Sequence, residues 1–242
     1  MLEDLALPRV HHAPDTRFDR VGLVAESEDS QSLPQALRGF CMAAPLLVAG
    51  STWPADEKHL IPFLVDQVLP AGWRVLLAPH RVDEEGMAAL CQQLPNNAFR
   101  WSQNNGAPLP EDCRILVMDQ IGLLGALYGL GQAAYVGGAF GTGLHNVLEP
   151  AAFGLPLAFG PHHARFPEAK ALIDAGAAQC VTDQPSLATW FALLRDNKAP
   201  DGLSAEGHTM GKAAAAFVAA NRGGTAQITA QILADEAARQ TP

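Results

Sequence analysis

The sequence predicts an α/β fold on a doubly wound parallel sheet, and three observations carry that prediction. Short apolar runs rich in Val, Leu, Ile and Ala, without polar alternation, recur along the 242 residues, as in strands buried on both faces. Windows with helical spacing separate them, and strands alternating with helices imply βαβ units with helices on both faces of the sheet. Glycine and proline punctuate the boundaries, where turns need them.

The elements follow in order. Residues 1–20 read as an arm, with Pro8, His11, His12 and Pro14 and little periodicity, apart from one short strand candidate over 5–12. A helix candidate over 29–43 leads to PLLVAG at 45–50, a buried strand followed by Ser51-Thr52 and a helix over 56–68. RVLLA at 74–78 repeats the pattern, with a helix over 84–93 behind it. RILVM at 114–118, AAYV at 133–136, PLAF at 156–159 and AQCV at 178–181 complete six strands. Helices are expected between them over 122–130, 147–153, 167–175 and 185–195. The alanine-rich tail from Ala205 to about Gln240 reads as two helices broken at Asn221-Arg222-Gly223-Gly224. No repeat or low-complexity linker divides the chain, so residues 21–242 are expected to form one Rossmann-like domain.

Composition narrows the function. A hydrophobic fraction of 48% with 17% charged residues suits a globular core, not a disordered chain. The formal net charge of −9 argues against a nucleic-acid surface, which needs clustered Lys and Arg. Cys41, Cys91, Cys113 and Cys180 are widely spaced with no CxxC pair, so neither a zinc cluster nor a disulfide framework is expected. There is no signal-peptide pattern and no apolar run of about 18 residues to span a bilayer.

In open α/β sheets ligands bind beyond the carboxyl ends of the strands, so the residues there are the candidates. Gly137-Gly138-Ala139-Phe140-Gly141-Thr142-Gly143 places four glycines between a strand and a helix, followed by Leu144-His145-Asn146 and Glu149. Such a loop lets backbone approach a ligand, and a helix start favours a phosphate. Asn146 at the helix start and Glu149 one turn in would share that crevice, where a carboxylate can accept ribose hydroxyls. A plain turn with an Asn cap and a dipole-compensating Glu would look the same. Ser51 and Thr52 end the first strong strand, His80 and Arg81 the second, Asp119 the third, and Gly160-Pro161-His162-His163 the fifth. Each has a bland reading alone, but their convergence on one sheet edge favours a single ligand site. GxxxxGK[ST], GxSxG and an ordered GxGxxG with a later acid are all missing, which disfavours P-loop, α/β-hydrolase and dinucleotide dehydrogenase readings. His11, His12, His59 and His208 have no matching ligand spacing and read as surface residues.

With these segments on the page, the sequence resembles the C-terminal domain of 3-deoxy-D-manno-octulosonic acid (Kdo) transferases, most of all a Bacteroidetes-like branch. DTRFDRV at 15–21, AGSTWPADE at 49–57, APHR at 78–81, the stretch 118–161 containing GGAFGTGLHNVLEP, and NRGG at 221–224 carry the resemblance. It implies the C-terminal half of a GT-B glycosyltransferase of lipopolysaccharide biosynthesis, with CMP-Kdo as donor, lipid A precursor as acceptor, and no cofactor or metal. It also implies a peripheral place at the cytoplasmic side of the inner membrane. The family's general base is a Glu of an amino-terminal domain, so residues 1–20 are expected to be an inter-domain crossover and the chain alone to be inactive. By the same resemblance Gly138, Gly141, Gly143 and Asn146 contact phosphate or sugar and Glu149 the ribose. Ser51, Thr52, His80 and Arg81 line the phosphate and Kdo carboxylate region. A GT-B domain for a UDP-sugar, or a non-catalytic nucleotide-binding module, would carry the same general pattern.

Overall fold

The computed structural model describes residues 10–27, 32–104, 107–141 and 143–240. Within them, seven strands form one parallel sheet in the order β3-β4-β2-β1-β5-β6-β7. They are β1 Leu46–Thr52, β2 Arg74–Pro79, β3 Ala98–Arg100, β4 Ile115–Val117, β5 Ala133–Val136, β6 Leu157–Phe159 and β7 Ala178–Cys180. Among the described residues ten α-helices accompany it: α1 Arg17–Glu26, α2 Gln35–Met42, α3 Pro54–Phe63, α4 Glu84–Cys91, α5 Leu124–Tyr128, α6 Leu148–Ala152, α7 Pro167–Asp174, α8 Gln184–Leu194, α9 Ala205–Ala220 and α10 Gly224–Gln240. One π-helical turn, Leu64–Val68, prolongs α3.

Strand side chains alternate between two buried faces, which is why the runs lack polar alternation. Leu47, Ala49, Val75, Leu77, Ile115, Val117 and Tyr135 pack with Leu60, Phe63 and Leu64 of α3 and its extension, and with Trp190 and Phe191 of α8. On the other face, Leu46, Val48, Leu76 and Leu116 meet Leu37 and Phe40 of α2 and Tyr128 of α5. Farther along that face, Val136, Leu157 and Phe159 pack with α1, α6, α7 and α9.

Six strands lie where the sequence places them, and three elements among the described residues were not foreseen: β3, α1 and a 3-10 turn over Trp101–Asn104. β3 is a three-residue edge strand of half-buried residues, too short for periodicity to mark. α1 brings Phe18 and Val21 into the core beneath α6 and α9, with the Phe18 and Phe217 rings 5.6 Å apart. It runs from Arg17 through the position where the arm was expected to end. The strand candidate over 5–12 falls mostly outside the described residues, and 10–12 are irregular. Among the described residues no helix is long and apolar enough to cross a membrane.

The order fixes the topological switch point of the sheet. From β1 the chain steps to β2 on one side and later returns to β5 on the other. The crevice beyond the ends of β1 and β5 is therefore the topological switch point.

Candidate functional site

At the end of β1 the pairing register with β2 slips between Gly50 and Thr52. Ser51, at φ 54°, is the only non-glycine residue in the left-handed region among those described. Such a conformation costs on the order of 1 kcal/mol and persists where surroundings impose it. Here the partner is the start of the β5 loop: a Cβ on Gly137 would lie 2.3 Å from the Ser51 carbonyl oxygen, so only glycine fits.

The loop after β5 folds on itself. The Gly141 and Gly143 N–H groups donate to the Gly138 carbonyl at 2.9 and 3.2 Å, and the His145 N–H donates to the Gly137 carbonyl at 3.1 Å. Gly138 has φ 97°, and a Cβ there would strike the Gly143 carbonyl. The His162 ring reaches the Gly141 carbonyl at 3.0 Å. His59, expected on the open surface, is half-buried and stacks on Phe140 with centroids 4.4 Å apart.

Asp56 ties this loop to the β1 turn. Its fully buried carboxylate accepts the Tyr135 hydroxyl at 2.8 Å, the Gly138 N–H at 2.9 Å and the Trp53 N–H at 2.9 Å. The last bond is the returning half of a capping box, since Asp56 is the third residue of α3 and Trp53 its N-cap. Burial, and then the charge and hydrogen bond of Asp56, push the Tyr135 phenol well above its ordinary pKa.

Three rings occupy the crevice above the clamp. Trp53 Nε1 donates to His145 Nε2 at 2.8 Å, and the two rings are nearly coplanar, 7° apart. His80 lies across both, with centroids 4.7 Å from Trp53 and 4.3 Å from His145. Burial lowers the His145 pKa and the neighbouring His80 lowers it further, against the opposing pull of Asp56. Trp53 and His145 were not singled out in the sequence. Both stand in the segments that carry the resemblance, but only the fold reveals a contact across 92 positions.

The sequence-chosen residues divide by position. Thr52 is buried, and its hydroxyl donates to the Glu57 carboxylate at 2.9 Å. The His80 N–H bonds the Thr52 carbonyl at 2.8 Å, joining the ends of β1 and β2. Arg81, 69% exposed, pairs with Asp83 at 3.1 Å. Between α3 and α4 lies a cleft of about 380 Å³, lined by Thr52, Trp53, Glu57, Arg81, Asp83 and Glu85 among others. Its three carboxylates outnumber its one guanidinium, so an anion is better placed at the glycine loop than deep in this cleft. Burial chiefly raises the Glu57 pKa; Thr52 opposes the rise and Asp56 adds to it.

On the β5 side Asn146 Nδ2 donates to Glu149 Oε1 at 2.9 Å, while Asn146 Oδ1 accepts the Leu148 N–H at 3.1 Å. The helix behind the loop has only five residues, Leu148–Ala152. A large macrodipole is therefore not available, and loop N–H groups and side chains must carry any anion contact. Asp119 is committed elsewhere, held by Arg100 and by the Ser102 N–H at 2.9 Å. Among the described residues no three His, Cys, Asp or Glu side chains are grouped to hold a metal ion. A larger cavity, about 560 Å³ around Phe40, Arg74 and Leu109, opens where Arg74 begins β2, at the end of the sheet away from the switch point.

No protein-family model matches the chain. It is 33% identical over 178 residues to the 3-deoxy-D-manno-octulosonic acid transferase of Chlamydia pneumoniae, covering 69% of this chain and 39% of that protein. The corresponding Chlamydophila psittaci enzyme is 33% identical over 156 residues, covering 63% of this chain and 35% of that protein. Among solved structures, the C-terminal CMP-Kdo binding domain of WaaA from Acinetobacter baumannii shares the fold. Its TM-score is 0.61 at 23% identity, over 78% of this chain and 97% of that domain. A UDP-forming α,α-trehalose-phosphate synthase from Burkholderia xenovorans aligns more loosely, with TM-score 0.52 at 15% identity, over 85% of this chain and 46% of that one. The fold is thus that of the C-terminal half of a GT-B glycosyltransferase, and the chain is a homologue of the 3-deoxy-D-manno-octulosonic acid transferases, spanning 39% of the length of the chlamydial one.

Proposed function

We propose that this chain is the donor-binding part of a Kdo transferase, holding CMP-Kdo in the crevice between β1 and β5 for transfer to lipid A precursor. The observation that carries the reading is the self-bonded glycine loop at the switch point, beside the ends of β1 and β2, in a chain homologous to Kdo transferases. In this reading the nucleotide phosphate lies against residues 138–141 and 143–146, with Asn146 beside it. Glu149, half-buried and joined to Asn146, takes the ribose hydroxyls. Ser51, Thr52, His80 and Arg81 border the Kdo carboxylate. The Arg81–Asp83 pair is solvent-exposed and worth only about 0–1 kcal/mol, so an incoming anion can displace Asp83. The leaving phosphate is stabilised by fixed N–H groups and side chains. The acceptor, its general base and a peripheral site at the cytoplasmic side of the inner membrane belong to the same proposal.

Thermal shift with CMP, UMP and UDP-GlcNAc tests it. A ligand at a hundredfold excess over Kd adds about 2.7 kcal/mol. At roughly 2–4 °C per kcal/mol for a chain of this size, Tm should rise by roughly 5–10 °C with CMP. A response to the UDP-sugar with none to CMP would assign the domain to another donor.

A further inference from the structure

The three-ring cluster has a chemical consequence. An indole N–H only donates, so His145 Nε2, 2.8 Å from Trp53 Nε1, must present a lone pair. A neutral imidazole carries one proton, which this bond sends to Nδ1. Protonating Nε2 would break the bond and set a cation beneath the His80 ring, 4.3 Å away. The Cδ2 corner of the ring lies against Gly138, where a Cβ would come within 2.9 Å of it. The Nδ1–Cε1 edge is left on the opposite side, and among the described residues none takes up Nδ1. The ionisable groups facing the ring are His80 from the end of β2 and Asp56 from α3.

We propose that Trp53 is a positioning residue that locks His145 as the neutral tautomer protonated on Nδ1, making this N–H a fixed hydrogen-bond donor to an anionic oxygen of the bound ligand. A neutral donor of fixed direction recognises phosphate or carboxylate without titrating near neutral pH, in contrast to an ordinary histidine. The lowered His145 pKa agrees with this, because burial and His80 both disfavour the charged ring. The lock concerns the free protein. Its effect on nucleotide binding rests on the reading of the crevice proposed above.

Long-range ¹H–¹⁵N NMR of the histidine rings tests the lock without ligand, with His145→Asn identifying the resonance. In the unaltered chain His145 should show a protonated Nδ1 and a pyridine-like Nε2, and should titrate below the ordinary histidine value of about 6.5. Trp53→Phe keeps a ring against His80 but removes the donor. The Nε2-protonated tautomer should then appear and the titration midpoint rise. CMP titration calorimetry supplies the second readout, taken at each pH as affinity relative to the unaltered chain, because the CMP phosphate itself titrates with a second pKa of about 6. In Trp53→Phe this relative affinity should fall about fivefold at pH 8, the worth of one hydrogen bond of about 1 kcal/mol, and recover as the pH is lowered. A protonated Nε2 in the unaltered chain overturns the proposal even if Trp53→Phe fails to fold. So does an unchanged tautomer and midpoint in a folded Trp53→Phe. The expected tautomer with no CMP binding leaves the lock standing and removes the nucleotide reading instead.

Discussion

Replacing Asp56 with alanine removes the clamp between the β1 turn, β5 and the glycine loop. The carboxylate is fully buried and takes three donors: the Tyr135 hydroxyl at 2.8 Å and the Gly138 and Trp53 N–H groups at 2.9 Å each. Tyr135 and Gly138 are themselves buried, so two donors would lose their partner where water is scarce. Each such donor costs about 1–3 kcal/mol, and the lost helix-cap contact adds about 1 kcal/mol. With some water entering the gap, the loss should be about 3–5 kcal/mol. That is a large part of the roughly 5–15 kcal/mol typical of a folded domain. Urea unfolding followed by the fluorescence of the four tryptophans measures it, and an unchanged m-value confirms a stability effect. Adding Tyr135→Phe removes one orphaned donor, so the double variant should regain about 1–2 kcal/mol relative to Asp56→Ala alone. A loss under about 1 kcal/mol, or no coupling to Tyr135→Phe, would refute the clamp.

Three further outcomes are expected. Glu149→Gln keeps the shape but removes a charge worth about 1.5–3 kcal/mol to a hydrogen-bonded diol; CMP affinity should drop about tenfold or more by calorimetry, with little change in Tm, and unfolding with intact residual affinity would make Glu149 a structural cap. Glu57 has its pKa raised by burial, so its favourable contribution is complete below the unfolded value and is lost as pH rises through the folded one. Glu57→Gln should therefore raise Tm at pH 8 relative to the unaltered chain and lose that advantage near pH 4; an equal effect at both values would show that ionisation is not the cause. Finally, the chain spans 39% of the length of the chlamydial relative, and in the proposed reading acceptor positioning and general-base catalysis, together worth many orders of magnitude, go with the remainder of such a protein; the purified chain should then give no transfer from CMP-Kdo to lipid A precursor, and turnover by the chain alone, read by mass spectrometry of the lipid, would overturn that reading.

The strands were legible because each is a short apolar run whose neighbours bury both faces, as in Leu46 to Ala49. β3 was not, since a three-residue edge strand is specified by pairing with β4 and not by its own pattern. α1 was masked by the prolines before it, although Phe18, Val21 and Gly22 have helical spacing. In the site, glycines and strand-end polar residues signalled a crevice through local sequence alone. Tyr135 and Gly138, which bond Asp56, and Trp53, which bonds His145, lie 79–92 positions from those partners in the chain, and such contacts leave no local trace. Thr52 shows the converse: its place beside the cleft was readable, but the commitment of its hydroxyl to Glu57 was not.

The glycine loop is fastened by its own carbonyls, by His162 and by Asp56 before any ligand arrives. A segment already held in shape gives up little disorder when it is occupied, so more of the contact energy remains as affinity. The kinetics should bear the same mark. Nucleotide capture should proceed in one step, its observed rate rising linearly with concentration and reaching no plateau, because the bonded loop residues already stand in place before the nucleotide arrives.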